Sequence, residues 1–236
     1  MADYPTIRKK QPEGRFRIHF GRKLQIDMDV NFLFVVDVSG SMYGQRIASV
    51  NAALAECMAE LRQIAASGNY AIKASVVTFA EKMQVYKMNE YPGEMDLPQL
   101  KVEPQEDGFY LLTSYSCLYK GLMYLFQKEK IQDGNQGKNT FIFLFSDAKP
   151  VDSKKYADSY REIQQCVPFK NAEKYVAYAD EESDEYNKNT VMFVDYKAEH
   201  IKRISEIAGE IGKLQMTFFS DISGYGSEME YDQLFV

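Results

Sequence analysis

The sequence predicts a single α/β domain in which helices cover both faces of a mostly parallel sheet. The segments 31–37 (NFLFVVD) and 139–145 (NTFIFLF) each contain an uninterrupted run of five apolar residues, which is typical of strands that are buried on both faces. Between Ile47 and Ala65, apolar residues recur at spacings of three and four, as on the buried stripe of a helix. A chain of 236 residues can bury a core of this kind without disulfide bonds.

The remaining segments extend this alternation of strands and helices. Strands are predicted at 71–79, 82–87, 175–179 and 191–194, and helices at 118–126, 156–166 and 198–218. The short gap before 82–87 predicts a hairpin, which supplies one antiparallel edge strand. The segment 91–107 contains three prolines and is predicted to be a surface loop. The helix at 156–166 is expected to end before Pro168, and the charged segment 180–188 is a loop or a short exposed helix.

Composition argues against several classes of protein. The formal net charge of −6 does not favour a nucleic-acid binder, and the short basic stretch 8–23 is interpreted as a solvated arm. Cys57, Cys117 and Cys166 are too widely spaced for a zinc site or a disulfide framework. The segment 1–14 is too polar for a signal peptide, and no apolar run could span a membrane. We therefore expect a cytoplasmic protein that contacts neither nucleic acid nor membrane.

The most informative segment follows the first buried strand. Asp37, Ser39 and Ser41 offer one carboxylate and two hydroxyls on alternate positions of a tight turn, which Gly40 relieves of crowding. Ligands of open α/β sheets bind at the carboxyl ends of the strands. Oxygen donors select hard cations such as Mg²⁺, which needs few protein ligands because it keeps several waters. The alternative is that these residues only cap the following helix.

A second acid strengthens the metal hypothesis. Asp147 follows the buried strand 139–145, in the same place that Asp37 has after its own strand. Two acids at neighbouring strand ends repel each other unless a cation lies between them. The pair therefore favours a metal site over a helix cap, with Mg²⁺ as the expected ion and Mn²⁺ or Ca²⁺ as alternatives.

Three stretches resemble von Willebrand factor type A (vWA) domains. They are 34–42 (FVVDVSGSM), 50–54 (VNAAL) and 76–79 (VVTF). The resemblance is strongest to the bacterial tellurium-resistance type (TerY-like) and covers roughly 31–214. It implies a Rossmann-like three-layer fold with a mostly parallel central sheet and one antiparallel edge strand.

The resemblance also implies a domain organisation. We assign the vWA domain, with its metal-ion-dependent adhesion site, to residues 31–220. An N-terminal extension (1–30) precedes the domain, and a C-terminal tail (221–236) follows it.

In the vWA family, three loops supply the ligands of the metal. The resemblance implies that Asp37, Ser39 and Ser41 act from the first loop and Asp147 from the third. The usual Thr-Asp-Gly of the third loop is Ser-Asp-Ala here, at 146–148.

The second loop departs further from the family pattern of Gly-Gly-Thr. Aligning the start of the following helix places Ser116 where the threonine belongs, and both glycines are lost. Thr113 is the competing candidate. We take Ser116 as the expected ligand, because its hydroxyl can replace that of threonine.

The resemblance implies a non-enzymatic binding module with no catalytic residue. Its Mg²⁺ accepts a carboxylate oxygen from an Asp or Glu of a partner protein. TerY-like relatives are often encoded beside a protein kinase and a PP2C-type phosphatase, in stress-resistance or phage-defence clusters. Tyr43 and Tyr115 are expected to flank the metal as exposed aromatic contacts, and Lys149 as a charge for an acidic partner.

Two other functions compete with this interpretation. One is a scaffold protein whose metal site is vestigial. The other is a metal-dependent phosphatase. The sequence argues against it, because the chain has no phosphate-binding glycine loop and no second acid two residues after Asp37.

Overall fold

A computed structural model describes residues 15–17, 25–66, 70–106, 108–128, 139–152, 156–179 and 188–214. The strands are β1 (Arg15–Arg17), β2 (Gln25–Asp37), β3 (Tyr70–Phe79), β4 (Met83–Glu90), β5 (Thr140–Ser146), β6 (Glu173–Tyr178) and β7 (Ile201–Arg203). The helices are α1 (Gln45–Ala66), α2 (Tyr115–Gln127), α3 (Tyr156–Ile163), α4 (Val167–Asn171), α5 (Lys188–Phe193) and α6 (207–214). None of the helices in these ranges is long and apolar enough to cross a membrane.

The strands form one sheet with the spatial order β4-β3-β2-β5-β6-β7. β2 pairs in parallel with β3 and β5, and β6 pairs in parallel with β5 and β7. The edge strand β4 runs antiparallel to β3, and β1 pairs antiparallel with the first residues of β2. The predicted fold class, a Rossmann-like α/β fold with an antiparallel edge strand, is confirmed.

The sheet separates two apolar layers. On β2, Phe32 and Phe34 face the α1 side, whereas Leu33 and Val35 face the α2 and α3 side. This alternation is the two-residue period of a strand that is buried on both faces. Aromatic rings stack across the strands on the α1 side, with 5.6 Å between the centroids of Phe34 and Phe143.

The predicted elements from the first strand through β6 are confirmed, with small shifts at their ends. The strand predicted from residue 31 begins at Gln25, inside the segment that was assigned to the N-terminal extension. The segment 91–106 has neither helix nor strand, as expected, but it is not confined to the surface, because Met95, Leu100 and Val102 are buried in the core on the α1 side. The 156–166 helix ends at Ile163, and Pro168 lies in the first turn of a separate short helix, α4, where proline is tolerated. The predicted tail at 221–236 lies outside the described residues.

Two predictions near the C-terminus are wrong. The strand predicted at 191–194 lies largely within helix α5, because a short apolar run has no period that distinguishes a strand from a buried helix. The helix predicted over 198–218 contains β7 and then α6, which begins at 207. Ile201 shares the helical spacing of its neighbours, but the open edge of β6 takes it into the sheet opposite Val176.

A buried lysine joins β6 to the helices beside it. Lys174 is 2% exposed, and its ammonium donates to the carbonyl oxygens of Phe169 (3.0 Å) and Ala172 (2.8 Å). Its third contact is Asp195, whose Oδ2 lies 2.7 Å from Lys174 Nζ. Burial lowers the pKa of Lys174, and the bond to Asp195 opposes that shift. The lysine therefore provides a shared hydrogen-bond donor for carbonyl groups at the end of α4 and for the carboxylate in the turn after α5.

We expect Lys174→Met to destabilise the fold by about 2–3 kcal/mol, because it leaves two carbonyl groups and a carboxylate without their shared donor. Urea denaturation measures the change. The control is Lys197→Met, which removes an exposed lysine 3.5 Å from Glu173 and should cost under about 1 kcal/mol. Equal effects of the two substitutions would contradict a structural role for the buried charge.

Candidate metal centre

The first loop places a carboxylate at the end of β2. Asp37 is fully buried, and its Oδ1 accepts a hydrogen bond from the Ser39 N–H at 2.9 Å. Its Oδ2 accepts one from the Ser146 hydroxyl at 2.7 Å. Burial raises the pKa of Asp37 to about 6 against these hydrogen bonds, and the charge of Asp147 adds to the rise. The carboxylate is thus oriented on both oxygens, but its charge is only partly compensated.

A row of hydroxyls joins the first loop to the second. The Thr113 hydroxyl donates to Ser39 Oγ at 2.6 Å, and Ser39 Oγ lies 3.2 Å from Ser41 Oγ. Thr113 and Ser39 are buried, whereas Ser41 is exposed. The row therefore leads from the interior of the sheet edge to the surface.

The close approach of these two loops depends on Gly40. A Cβ at this position would lie 2.5 Å from Tyr110 Cβ, which is too short for any real contact. The Gly40 N–H donates to the carbonyl of Leu111 at 2.9 Å, two residues before Thr113. A side chain at position 40 would separate the loops and break the row of hydroxyls.

The third loop brings the second acid. Asp147 is fully buried, and its Oδ2 lies 3.4 Å from Nη1 of Arg46. The same nitrogen donates to the carbonyl of Ser41 at 2.7 Å, so Asp147 and the first loop share one arginine. Ala148 follows with φ of 55°, a left-handed conformation that favours glycine. This conformation gives a physical reason for the glycine of the family pattern, which this chain replaces with a strained alanine.

In the second loop, the structure brings Thr113 to the cluster rather than the expected Ser116. Helix α2 begins at Tyr115, with Ser114 as its N-cap, so Ser116 lies inside the first turn. Its N–H donates to Asp152 Oδ2 at 2.8 Å. The expectation for Ser116 assumed a helix from residue 118. Because the helix begins at Tyr115, Thr113 is the second-loop residue whose hydroxyl lies beside Ser39.

Asp152 is a residue of this site that the sequence did not indicate. It accepts hydrogen bonds from the Ser114 hydroxyl (2.9 Å) and from the N–H groups of Tyr115 (3.0 Å) and Ser116 (2.8 Å). Burial raises the pKa of Asp152, but these bonds outweigh burial and lower it overall. The carboxylate caps α2 and ties the third loop to the second. Nothing in its local sequence distinguishes it from an ordinary loop acid.

The expected contact residues have different exposures. Tyr43 is 62% exposed and Lys149 is also exposed, as predicted. The prediction for Tyr115 is wrong, because this side chain is fully buried against Phe79 and other aromatic rings. An apolar side chain at the start of a helix packs inward when its stripe faces the sheet.

The donors fit a hard divalent cation. The candidate donors are all oxygens, from the carboxylates of Asp37 and Asp147 and the hydroxyls of Ser39, Ser41 and Thr113. Arg46 offsets part of the charge of Asp147, and a divalent cation would offset the rest of the repulsion between the two acids. In the described part of the chain, no group of three or more His, Cys, Asp and Glu could hold a metal. A site with two acids and several hydroxyls suits Mg²⁺, whose remaining positions are filled by water.

Comparison with solved structures shows that the chain has the fold of a von Willebrand factor type A domain. It resembles a von Willebrand factor type A protein from Catenulispora acidiphila, with a TM-score of 0.50 and 14% identity over 80% of this chain and 42% of that one. The chain also resembles the pilus adhesin SpaC from Lactobacillus rhamnosus GG in its open conformation, with a TM-score of 0.53 and 8% identity over 80% of this chain and 30% of that one. For proximal thread matrix protein 1 from the mussel byssus, the TM-score is 0.51 and the identity 12%, over 80% of this chain and 46% of that one.

These similarities concern the fold alone, because the identities are low. The chain spans less than half the length of each of the three proteins. No protein-family model and no curated protein matches the sequence.

We expect Asp37→Asn to stabilise the metal-free protein. In EDTA at pH 8 the gain should reach about 3 kcal/mol, because a pKa raised from 3.8 to about 6 makes the charged carboxylate costly in the folded state. The gain should shrink as the pH falls through 6 and vanish below about 4, where the unfolded chain also binds the proton. Urea denaturation across this pH range measures it. Asp96→Asn, at an exposed loop acid, should change stability by under about 0.5 kcal/mol.

A variant that is less stable than wild type at pH 8 in EDTA would contradict this prediction. The two hydrogen bonds to Asp37 would then outweigh its burial and its repulsion by Asp147.

Substitutions in the second loop decide between its two candidate ligands. Thr113→Val keeps the shape of the side chain but removes the hydroxyl, so it should weaken Mg²⁺ binding at least about tenfold. Ser116→Ala should change the affinity by less than about twofold. Calorimetric titration with Mg²⁺ measures both. The opposite result would restore Ser116 as the ligand and leave Thr113 as a support for Ser39.

Proposed function

We propose that this chain is a metal-dependent protein-binding module that recognises a carboxylate of its partner. A Mg²⁺ ion at the carboxyl edge of the sheet would accept an oxygen from an Asp or Glu side chain. The observation that supports this most is the convergence of three loops on two buried acids. The Ser146–Asp37 and Thr113–Ser39 hydrogen bonds, at 2.7 and 2.6 Å, hold that arrangement.

In this proposal, each side chain has a distinct role. Asp37 and Asp147 carry the negative charge that a divalent ion offsets. Ser146 and the Ser39 N–H orient Asp37 and hold its carboxylate in place. The Thr113 hydroxyl orients Ser39 and is itself a candidate ligand. When bound, the metal supplies an electrophilic position for the carboxylate of the partner.

The surroundings of the site suit contact with another protein. Tyr43, Leu112 and Val151 are 62%, 53% and 59% exposed. Tyr43 follows the first loop, and the Val151 N–H donates to the carbonyl of Thr113 at 3.0 Å, next to Leu112. Exposed aromatic and apolar side chains around a polar centre are typical of interfaces, where burial adds affinity and the centre adds specificity.

We further propose a cytoplasmic setting with a partner drawn from the context of TerY-like proteins. A kinase or a PP2C-type phosphatase encoded nearby is the first candidate to test. The proposed module is non-enzymatic, so the purified chain should not hydrolyse phosphate esters in Mg²⁺. Phosphatase activity that is lost in Asp37→Ala would favour the enzyme alternative instead.

Capture of partners from the native host tests this function. Binding should occur in Mg²⁺, disappear in EDTA and be absent for Asp37→Ala. Lys149→Glu should slow association with an acidic partner several-fold, because a rim charge steers encounter. Lys213→Glu is the matched reversal on α6, where Lys213 pairs with Glu210 at 2.7 Å, and it should have much less effect.

Two outcomes would contradict the proposal. Capture that is equally strong in EDTA would favour a scaffold with a vestigial metal site. Equal weakening by the two charge reversals would show that the partner does not approach the three loops.

A further inference from the structure

Arg46 occupies an unusual position for a side chain of helix α1. It lies in the first turn of the helix, and its Nη1 donates to the carbonyl of Ser41 at 2.7 Å. The same nitrogen lies 3.4 Å from Asp147 Oδ2. The side chain is 33% exposed, whereas the side chain of Asp147 is fully buried. The chain therefore places its own cation against one of the two acids of the candidate metal centre.

This placement answers an electrostatic problem of the site. Two carboxylates buried at neighbouring strand ends repel each other, and a buried charge without a partner is strongly destabilising. The guanidinium offsets the charge of Asp147 and connects it to the first loop through Ser41. The loops can therefore remain assembled before any ion binds.

The same cation opposes a divalent ion. A metal at this centre would carry two positive charges to within a few ångströms of the guanidinium, where like charges repel strongly at the low effective dielectric of a partly buried site. The metal would also bind the carboxylate of Asp147, which Arg46 contacts in the empty site.

We propose that Arg46 is the internal counter-cation of the site, which competes with the divalent ion for Asp147 and so sets the metal concentration at which the module loads. This inference rests on the metal-dependent function proposed above. Loading then requires the guanidinium to move away from Asp147. The site then remains metal-free at low metal concentrations, and the empty site keeps its structure.

A purely structural role for Arg46 predicts the opposite result. If the arginine served only to hold the carbonyl of Ser41, its removal would loosen the first loop and weaken metal binding. If it is the counter-cation, its removal strengthens metal binding although the empty protein becomes less stable. The sign of the change in affinity therefore separates the two roles.

The test is calorimetric titration of wild type and Arg46→Gln with Mg²⁺ alone, at constant ionic strength. The expected result is an affinity at least about tenfold tighter for the variant, because the competing charge is gone. Its melting temperature in EDTA should fall, and its rise on adding Mg²⁺ should exceed that of wild type. Arg46→Lys keeps the positive charge, so its Mg²⁺ affinity should stay closer to that of wild type than the affinity of Arg46→Gln does.

Arg62→Gln is the matched control on the same helix. Arg62 donates from Nε to the carbonyl of Pro92 at 2.9 Å, in the loop after β4. Its removal should lower the melting temperature but leave the Mg²⁺ affinity within about twofold of wild type.

A weaker or unchanged affinity of Arg46→Gln would overturn the inference while leaving the metal-dependent function standing. Failure of both wild type and Arg46→Gln to bind Mg²⁺ would overturn both. Binding by the variant alone would support both, since the counter-cation would then suppress loading in wild type.

A second measurement does not depend on how well the variant folds. NMR of the Arg46 guanidinium in wild-type protein should show faster rotation of its Nη groups when Mg²⁺ is added, because the contact with Asp147 is released. A guanidinium signal that is unchanged at saturating Mg²⁺ would overturn the inference.

Discussion

The burial of two carboxylates, to which their mutual repulsion adds, is the constraint around which the edge of this sheet is organised. Asp37 and Asp147 are both fully buried at the carboxyl ends of adjacent strands. Asp37 accepts hydrogen bonds from the Ser146 hydroxyl and the Ser39 N–H, and Asp147 lies 3.4 Å from the guanidinium of Arg46. These contacts offset part of the cost of burial, but the raised pKa of Asp37 shows that they do not remove it. A cation is the component that would complete this balance.

The three loops that surround the two acids are joined directly to one another. The first and second loops meet through Gly40, whose lack of a side chain lets Tyr110 approach. The second and third loops meet through Asp152, which accepts three hydrogen bonds at the start of α2. Because Thr113 lies between these connections, a change in any one loop is expected to alter the position of its hydroxyl.

The departures from the vWA pattern are accommodated rather than disruptive. Counting back from Thr113, Leu111 and Leu112 stand where the pattern has two glycines. The carbonyl of Leu111 accepts from Gly40, and the Leu112 side chain is exposed, so neither leucine obstructs the loops. Ala148 replaces the third-loop glycine at the expense of a left-handed backbone, which costs an L-residue about 1–2 kcal/mol. The exposed Leu112 adds apolar surface beside the site, which a glycine could not provide.

The sequence by itself determined strands β2 to β6, helices α1 to α3 and four of the candidate oxygen donors, because continuous apolar runs, helical spacing and polar turns are local signals. Asp37, Ser39, Ser41 and Asp147 could be named since each follows a strand whose pattern is plain. Only the tertiary structure brought Thr113, rather than Ser116, to Ser39, through a hydrogen bond across 74 residues. The same holds for β7, which the open edge of β6 draws into the sheet, and for Arg46, whose partner Asp147 is 101 residues away along the chain. Contacts of this separation leave no periodic trace in the sequence, so they appear only once the sheet has brought the loops together.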